Sequence, residues 1–315
     1  MANIFFYCLT VLIWGTTWIA VTFQLGTVAP ELSIAYRFGL ASIILLLWCR
    51  FRGLSLRFKK RDLVFIALQG LCLFSLSYLL FYIAQQELTS GLAAVVFSTM
   101  VIQNIINGRL FLGIPIEMTV LVGGLLGLFG LSLLFLSELD HVAFSLGELS
   151  NLMLCLVATY VASLGNITSA RNLQAGLPVV QINALGMAFG ALFMLIFAGF
   201  RGAPLTIDLS WPYLLSLGYL ALFGSVIAFG CYISLIGRIG AGRAAYTTLL
   251  FPVVALTIST RWEGYHWSPE AFVGVIIIML GNGLAIYRRK GSLPVQKTDL
   301  QRDNHDDKRL RPCHK

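Results

Sequence analysis

The sequence predicts an all-α polytopic membrane protein of ten transmembrane helices, arranged as two inverted five-helix repeats. Three observations carry that prediction. Hydrophobic residues make up 58% of the 315-residue chain and charged residues only 11%, against about 25% charged in a soluble domain. The apolar residues gather into ten runs, each near the ~20 residues that a helix needs to cross a bilayer. The second half also repeats features of the first at an offset of 151 residues, without a gap, over roughly forty residues.

The runs cover roughly 4–23, 32–49, 63–83, 90–111 and 117–137, then 149–169, 177–199, 212–236, 244–262 and 270–287. The opening Met1-Ala2-Asn3 lacks the positive region of a signal peptide, so the first run is expected to stay as a helix. The connection from Gly113 to Ile116 is so short that the fourth and fifth helices must be antiparallel neighbours. Residues 1–137 form the first expected repeat and 138–290 the second, each with an odd number of spans, so the halves enter the membrane in opposite senses. From Gly291 to the end the chain is polar and charged. It cannot bury enough apolar surface to fold, and 291–315 is expected to be a disordered cytoplasmic tail.

Charge sets the orientation. With the N-terminus inside, thirteen cations fall on inner connections, among them Arg50, Arg52, Lys59, Lys60, Arg61, Arg109, Arg171 and Arg243. Only Arg201 and Arg261 fall outside, among acids such as Glu31, Glu138, Asp140 and Glu263. That asymmetry follows the positive-inside rule and predicts a multi-pass protein of the cell inner membrane with both termini cytoplasmic. It also accounts for the net charge of +8 without a nucleic-acid partner, since no basic face is interleaved with aromatics. The six cysteines are scattered without metal-ligand spacing, so neither a metal nor a cofactor is expected.

The duplication superposes Gly91 on Gly242, Ala93 on Ala244, Ala94 on Ala245, Gly113 on Gly264, Gly123 on Gly274 and Gly130 on Gly281. Small residues let membrane helices approach closely, so matched small positions imply matched packing. Inverted repeats are a frequent plan of secondary transporters, with the substrate held near the midplane between the halves.

Several short motifs stand in order along these spans. They are Trp14-Gly15-Thr16-Thr17-Trp18, Tyr36-Arg37-Phe38, Thr89-Ser90-Gly91-Leu92-Ala93-Ala94 and Leu110-Phe111-Leu112-Gly113, then Gly242-Arg243-Ala244-Ala245 and Phe251-Pro252-Val253. In this the chain resembles the EamA-domain members of the drug/metabolite transporter superfamily, over essentially all of residues 4–287. The resemblance implies a ten-helix bundle that carries a small molecule by alternating access, without naming it; the superfamily includes exporters of amino acids and carriers of other metabolites. Two positions depart from the family pattern. Val101 stands where the fourth span often has proline, which implies less bending there. Ile114 stands where an acid usually follows Leu-Phe-Leu-Gly.

Arg37 is the sharpest candidate for substrate contact. It lies about six residues inside the second span, where a charge costs roughly 2.5–3.5 kcal/mol at the bilayer centre, with no acid near it in sequence. It either binds a carboxylate or helix terminus in a cavity, or snorkels to the headgroups. Trp14, Thr17 and Trp18 share a face of the first helix and either line a path or pack. Thr99, Gln103 and Asn107 recur every four residues on the fourth span, with Asn104 beside them; their partners at the 151-residue offset, Leu250, Val254, Ile258 and Ala255, are all apolar. This one-sided polar stripe faces either a cavity or a hydrogen-bonding helix. Tyr78, Tyr82, Tyr160, Tyr232 and Tyr246 add apolar rings with polar tips. Asn166-Ile167-Thr168 matches a glycosylation pattern, but inside a span it is set aside.

No Asp, Glu or His lies mid-span, so proton coupling through a buried acid has no sequence support. A membrane enzyme of lipid or isoprenoid metabolism would need acid/base or metal-binding groups near the bilayer surface. The only clusters, His141 with Glu138 and Asp140 and His266 with Glu263, fall on outer loops and read as solvated charge. A non-transporting or lipid-handling component built on the same fold is the other alternative.

Overall fold

The computed structural model describes residues 2–24, 26–84, 90–135, 146–262 and 267–286. The clusters at His141 and His266 and the tail 291–315 lie outside the described residues.

In lipid every backbone amide must be satisfied within its own segment, which leaves the helix as the default. Among the described residues, ten helical rods follow in chain order. The first half holds α1 (Ala2–Thr22), α2 (Pro30–Phe51), α3 (Lys60–Ala84), α4 (Ser90–Ser98 continuing as Met100–Leu112) and α5 (Met118–Leu134). The second holds α6 (Leu146–Gln174), α7 (Val179–Phe200), α8 (Trp211–Ile239), α9 (Thr247–Trp262, entered through the single turn Ala241–Ala244) and α10 (Pro269–Ile286). Seven of these, α1 to α4 and α6 to α8, are long and apolar enough to span a bilayer by length and composition; α5 and α10 are shorter apolar helices.

Packing obeys the duplication. Helix α1 lies against α8 and α9, while its counterpart α6 lies against α3 and α4. Helix α2 pairs with α7, and α5 with α10. Exchanging the halves maps each contact onto another of the set or onto itself, as two inverted repeats about one pseudo-two-fold axis require.

The α5–α10 crossing shows why glycines recur at the offset. A Cβ added at Gly123 would stand 2.6 Å from the Gly281 carbonyl oxygen, and one at Gly130 would stand 2.6 Å from that of Gly274. The two contacts are symmetry mates, because Gly123 superposes on Gly274 and Gly130 on Gly281. Helix α4 ends where Gly113 takes a left-handed φ of 65°, and Ile114 N–H then bonds back to the Gly108 carbonyl, giving the tight antiparallel link to α5.

Both α3 and α8 carry a π-helical turn, at Cys72–Leu76 and Leu220–Ile227. The offset carries the first into the second, so the distortion is itself duplicated. Such turns swell a helix locally and cluster at functional sites. The substitution of Val101 for proline does not keep α4 regular: the helix is interrupted at Thr99, whose hydroxyl donates to the Val96 carbonyl. A hydroxyl bonding back into its own turn bends membrane helices without a proline. Helix α9, with Pro252 inside it, runs on from Thr247 to Trp262.

Candidate functional site: a one-charge cavity between the halves

A cavity of about 130 Å³ lies between the two halves, about four times the ~30 Å³ that one water occupies in the liquid. Its walls come from seven helices: Trp14, Thr17 and Val21 of α1, Arg37 of α2, Ser77, Tyr78, Phe81 and Tyr82 of α3, and Phe97 and Met100 of α4. From the second half come Ala158, Ala162 and Asn166 of α6, Phe229 and Tyr232 of α8, and Thr248 and Phe251 of α9. Helices α5, α7 and α10 supply no wall; they buttress the others from behind.

Among the described residues, Arg37 is the one charged group in this lining. It is buried, at 4% exposure, and no carboxylate pairs with it among the described residues. Its Nε donates to Ser225 Oγ at 3.0 Å, and its guanidinium carbon lies 5.1 Å from the centre of the Tyr78 ring and 5.3 Å from that of Phe38. Ser225 belongs to the π turn of α8. The neighbouring Gly224 makes the approach possible, since a Cβ there would stand 3.1 Å from Arg37 Nη2 and 3.0 Å from Thr17 Cγ2. Cation–π contacts and hydrogen bonds to Ser225 and to the Tyr78 and Tyr82 hydroxyls soften the cost of the buried charge, but among the described residues no counter-ion faces it. That arrangement suits an anion arriving from outside the protein.

The Trp-Gly-Thr-Thr motif is used residue by residue. Trp14 Nε1 donates to the Gly224 carbonyl at 3.3 Å, and its ring packs on Phe229 and Tyr232 with centres 5.1 and 4.9 Å away. Gly15 seats α1 on α9, where an added Cβ would stand 2.6 Å from Val254 Cβ. Thr16 shares a hydrogen bond with Tyr219 of α8 at 2.5 Å. Thr17 bonds its own backbone at Trp14 and turns its methyl to Gly224.

Away from Arg37 the cavity ends on a small amide cluster. Asn104 Nδ2 donates to the Ala241 carbonyl at 3.1 Å, which turns its Oδ1 towards Asn166 Nδ2 at 3.5 Å. Asn166 Nδ2 also faces Met100 Sδ at 3.2 Å. Among the described residues this orientation leaves Asn166 Oδ1 without a partner, and Tyr232 Oη, which stands near the Asn104 and Asn166 amides, makes no hydrogen bond of good geometry. Both residues are almost fully buried. A polar group left unsatisfied in a protein interior costs about 1–3 kcal/mol, so two such atoms on one cavity wall invite a ligand or water.

The sequence candidates therefore divide. Trp14, Thr17, Arg37, Tyr78, Tyr82 and Tyr232 meet in the cavity. The side chain of Trp18 lies outside the described residues. The α4 stripe does not line the cavity. Gln103 bonds Thr99 on its own helix at 3.2 Å, Asn107 bonds Ser163 of α6 at 2.9 Å, and Asn104 braces Ala241 and Asn166. Thr99 and Gln103 thus bond within α4, whereas Asn104 and Asn107 bond across to neighbouring helices. Tyr160 is 43% exposed on the outer surface of α6, and Tyr246 is buried with its hydroxyl donating to the Val120 carbonyl of α5; neither is a wall residue. Ser225 and Asn166 are the residues that sequence reasoning missed. Asn166 had a signal, as the lone amide on the Ala158-Ala162-Asn166 face at four-residue spacing.

Polar ties between the halves stand at both ends of the bundle: where α1 ends, Gln24 Nε2 donates to the Tyr213 carbonyl at 2.9 Å and to Ser216 Oγ at 2.6 Å, and further ties stand where α1 begins. Tyr7 of α1 donates to Asn282 Oδ1 of α10. Arg243, at the entry to α9, forms an ion pair with Glu117 before α5 and donates to the Ala285 carbonyl at 3.2 Å. Glu117 thus supplies an acid three residues after the position where Ile114 departs from the pattern.

Comparison with known proteins agrees with this architecture. The model of the EamA-like transporter family matches residues 1–136 and again 149–287. The uncharacterized inner membrane transporter YedA of Escherichia coli (strain K12) is 31% identical over 270 residues, covering 85% of each chain. Protein PagO of Salmonella typhimurium is 25% identical over 302 residues, covering 96% of this chain and 97% of its own. The uncharacterized transporter YoaV of Bacillus subtilis is 25% identical over 285 residues. A crystal structure of a protein 16% identical superposes with a TM-score of 0.74 over 90% of this chain and 96% of that one, a likeness of fold. The chain belongs to the EamA-like transporter family.

Proposed function

We propose that the chain is a secondary transporter that moves small polar metabolites bearing an anionic group, amino acids among them, across the cell inner membrane by alternating access. The observation that carries this is Arg37: a buried guanidinium with no carboxylate partner among the described residues, in a cavity between two inverted halves. The solute's carboxylate supplies the missing counter-ion. Rocking of the halves, with the polar ties at one end parting as those at the other close, exposes Arg37 to each side of the membrane in turn. Both termini are assigned to the cytoplasm from the thirteen-to-two cation asymmetry, and residues 1–137 and 138–290 are taken as the moving halves. Export is the direction taken from the amino-acid exporters that the chain resembles.

The test is uptake of labelled solutes into proteoliposomes of the purified chain, with a panel of organic anions, amino acids, nucleosides and amines. Saturable transport confined to carboxylates and amino acids supports the proposal. Transport of simple amines in preference to anions, or none from folded protein, refutes it.

A further inference from the structure

We infer that the amide end of the cavity is a second recognition subsite that reads a hydroxyl group, so that the preferred solute is an organic anion with an apolar body and a hydroxyl at its far end. The inference rests on the proposal that Arg37 takes the anionic group. Two atoms carry it. Asn166 Oδ1 only accepts hydrogen bonds, whereas Tyr232 Oη both donates and accepts; among the described residues neither makes a hydrogen bond of good geometry, Tyr232 Oη standing near the Asn104 and Asn166 amides, and both residues are buried and line the cavity. A ligand hydroxyl is the simplest group that answers both, donating to Asn166 Oδ1 while accepting from Tyr232 Oη. An ammonium can only donate and an ether can only accept.

Along α8 the backbone anchors of the two ends stand about two turns apart. Ser225 holds Arg37, and Tyr232 follows it by seven residues on the same helix, a rise of about 10 Å. The α-ammonium of an amino acid, one carbon from its carboxylate, cannot reach across that interval, so the second group must sit at the end of a side chain or ring. The wall between the two ends is aromatic, with Trp14 and Phe229 in contact, and matches a flat apolar body.

The test compares three ligands on the detergent-solubilised full-length chain by calorimetric titration: phenylpropionate, its para-hydroxy derivative and its para-methoxy derivative. All three carry the anion and the ring. Only the second can donate at the far end. The expected result is that the hydroxy compound binds at least about tenfold more tightly than either analogue, because a site built around hydrogen bonds discriminates strongly against a group that leaves them unmade. Tyr232→Phe, which removes a single oxygen, is expected to narrow that preference; an unaltered preference would overturn the inference. Equal binding of the three would also overturn it while leaving the carrier function standing. No binding of the three by a chain that still takes other anions through Arg37 likewise overturns the inference alone. Absence of anion binding altogether removes the proposed function and the inference with it.

Discussion

Two glycines on one helix, Gly281 and Gly283, should respond to the same substitution with opposite sign. A Cβ on Gly281 would lie 2.6 Å from the Gly123 carbonyl oxygen and 3.0 Å from the Gly127 nitrogen. Both obstacles are backbone, so no side chain can swing away and α5 and α10 must part by several tenths of an ångström. Parting them loosens contacts along the crossing, including the symmetry-related approach of Gly130 to Gly274. Overpacking of this kind costs about 1–3 kcal/mol. Gly283, two residues on, has nothing within 4 Å of an added Cβ, so Gly283→Ala gains only the helix preference of alanine, about 0.5–1 kcal/mol. Thermal or denaturant unfolding in detergent should therefore show Gly281→Ala destabilised and Gly283→Ala neutral or stabilised, a gap of roughly 2–4 kcal/mol from those two ranges. Gly130→Ala, the symmetry mate of the first, should lose a similar amount. Equal shifts at 281 and 283 would mean that the crossing is not the close glycine contact described.

Three further outcomes follow from the site and its surroundings. Ser225→Ala removes the partner of Arg37 Nε, a charge-assisted bond worth about 1.5–3 kcal/mol; a lowered unfolding midpoint and a weakened affinity for anions are both expected, and an unchanged chain would discount the contact. Tyr160→Phe, on an exposed face, should leave uptake and stability alike within about 0.5 kcal/mol, and a loss of transport would return that residue to the site. Glu117→Gln breaks the half-exposed pair with Arg243 and should cost no more than about 1 kcal/mol at low salt, with the difference shrinking at high salt; a larger, salt-independent loss would show that the pair is a main structural tie.

Much of the fold could be read from the chain because lipid leaves few alternatives. The ten apolar runs coincide with the ten helices among the described residues, and the offset of 151 residues foretold the glycine crossing and the pairing of the halves. The π turns in α3 and α8 gave no such sign, since their residues are ordinary apolar ones whose register changes only through packing. The cavity was half visible. Arg37 stood out because a lone charge in a span demands a reason. Its aromatic surroundings did not, because Phe97, Phe229 and Phe251 look the same in sequence whether they face lipid or a solute. The polar stripe of α4 misled for the complementary reason: regular spacing tells which residues share a face, but whether that face meets a cavity or a neighbouring helix is decided by α6, far along the chain. Asn166 was set aside as a sequon that could not be used, although an amide inside a span always needs a partner.

The measurement that bears most directly on the central claim is solute counterflow in proteoliposomes by the unmodified chain, Arg37→Lys and Arg37→Gln, each first shown to be monodisperse and equally stable to heat. Loss of a buried, hydrogen-bonded charge pair with a ligand corresponds to about 2–5 kcal/mol, which is roughly thirtyfold or more in affinity. The account predicts that Arg37→Gln loses at least that much for the carried anion while Arg37→Lys keeps part of it. A well-folded Arg37→Gln chain that exchanges the same anion at the unmodified rate and affinity would contradict it.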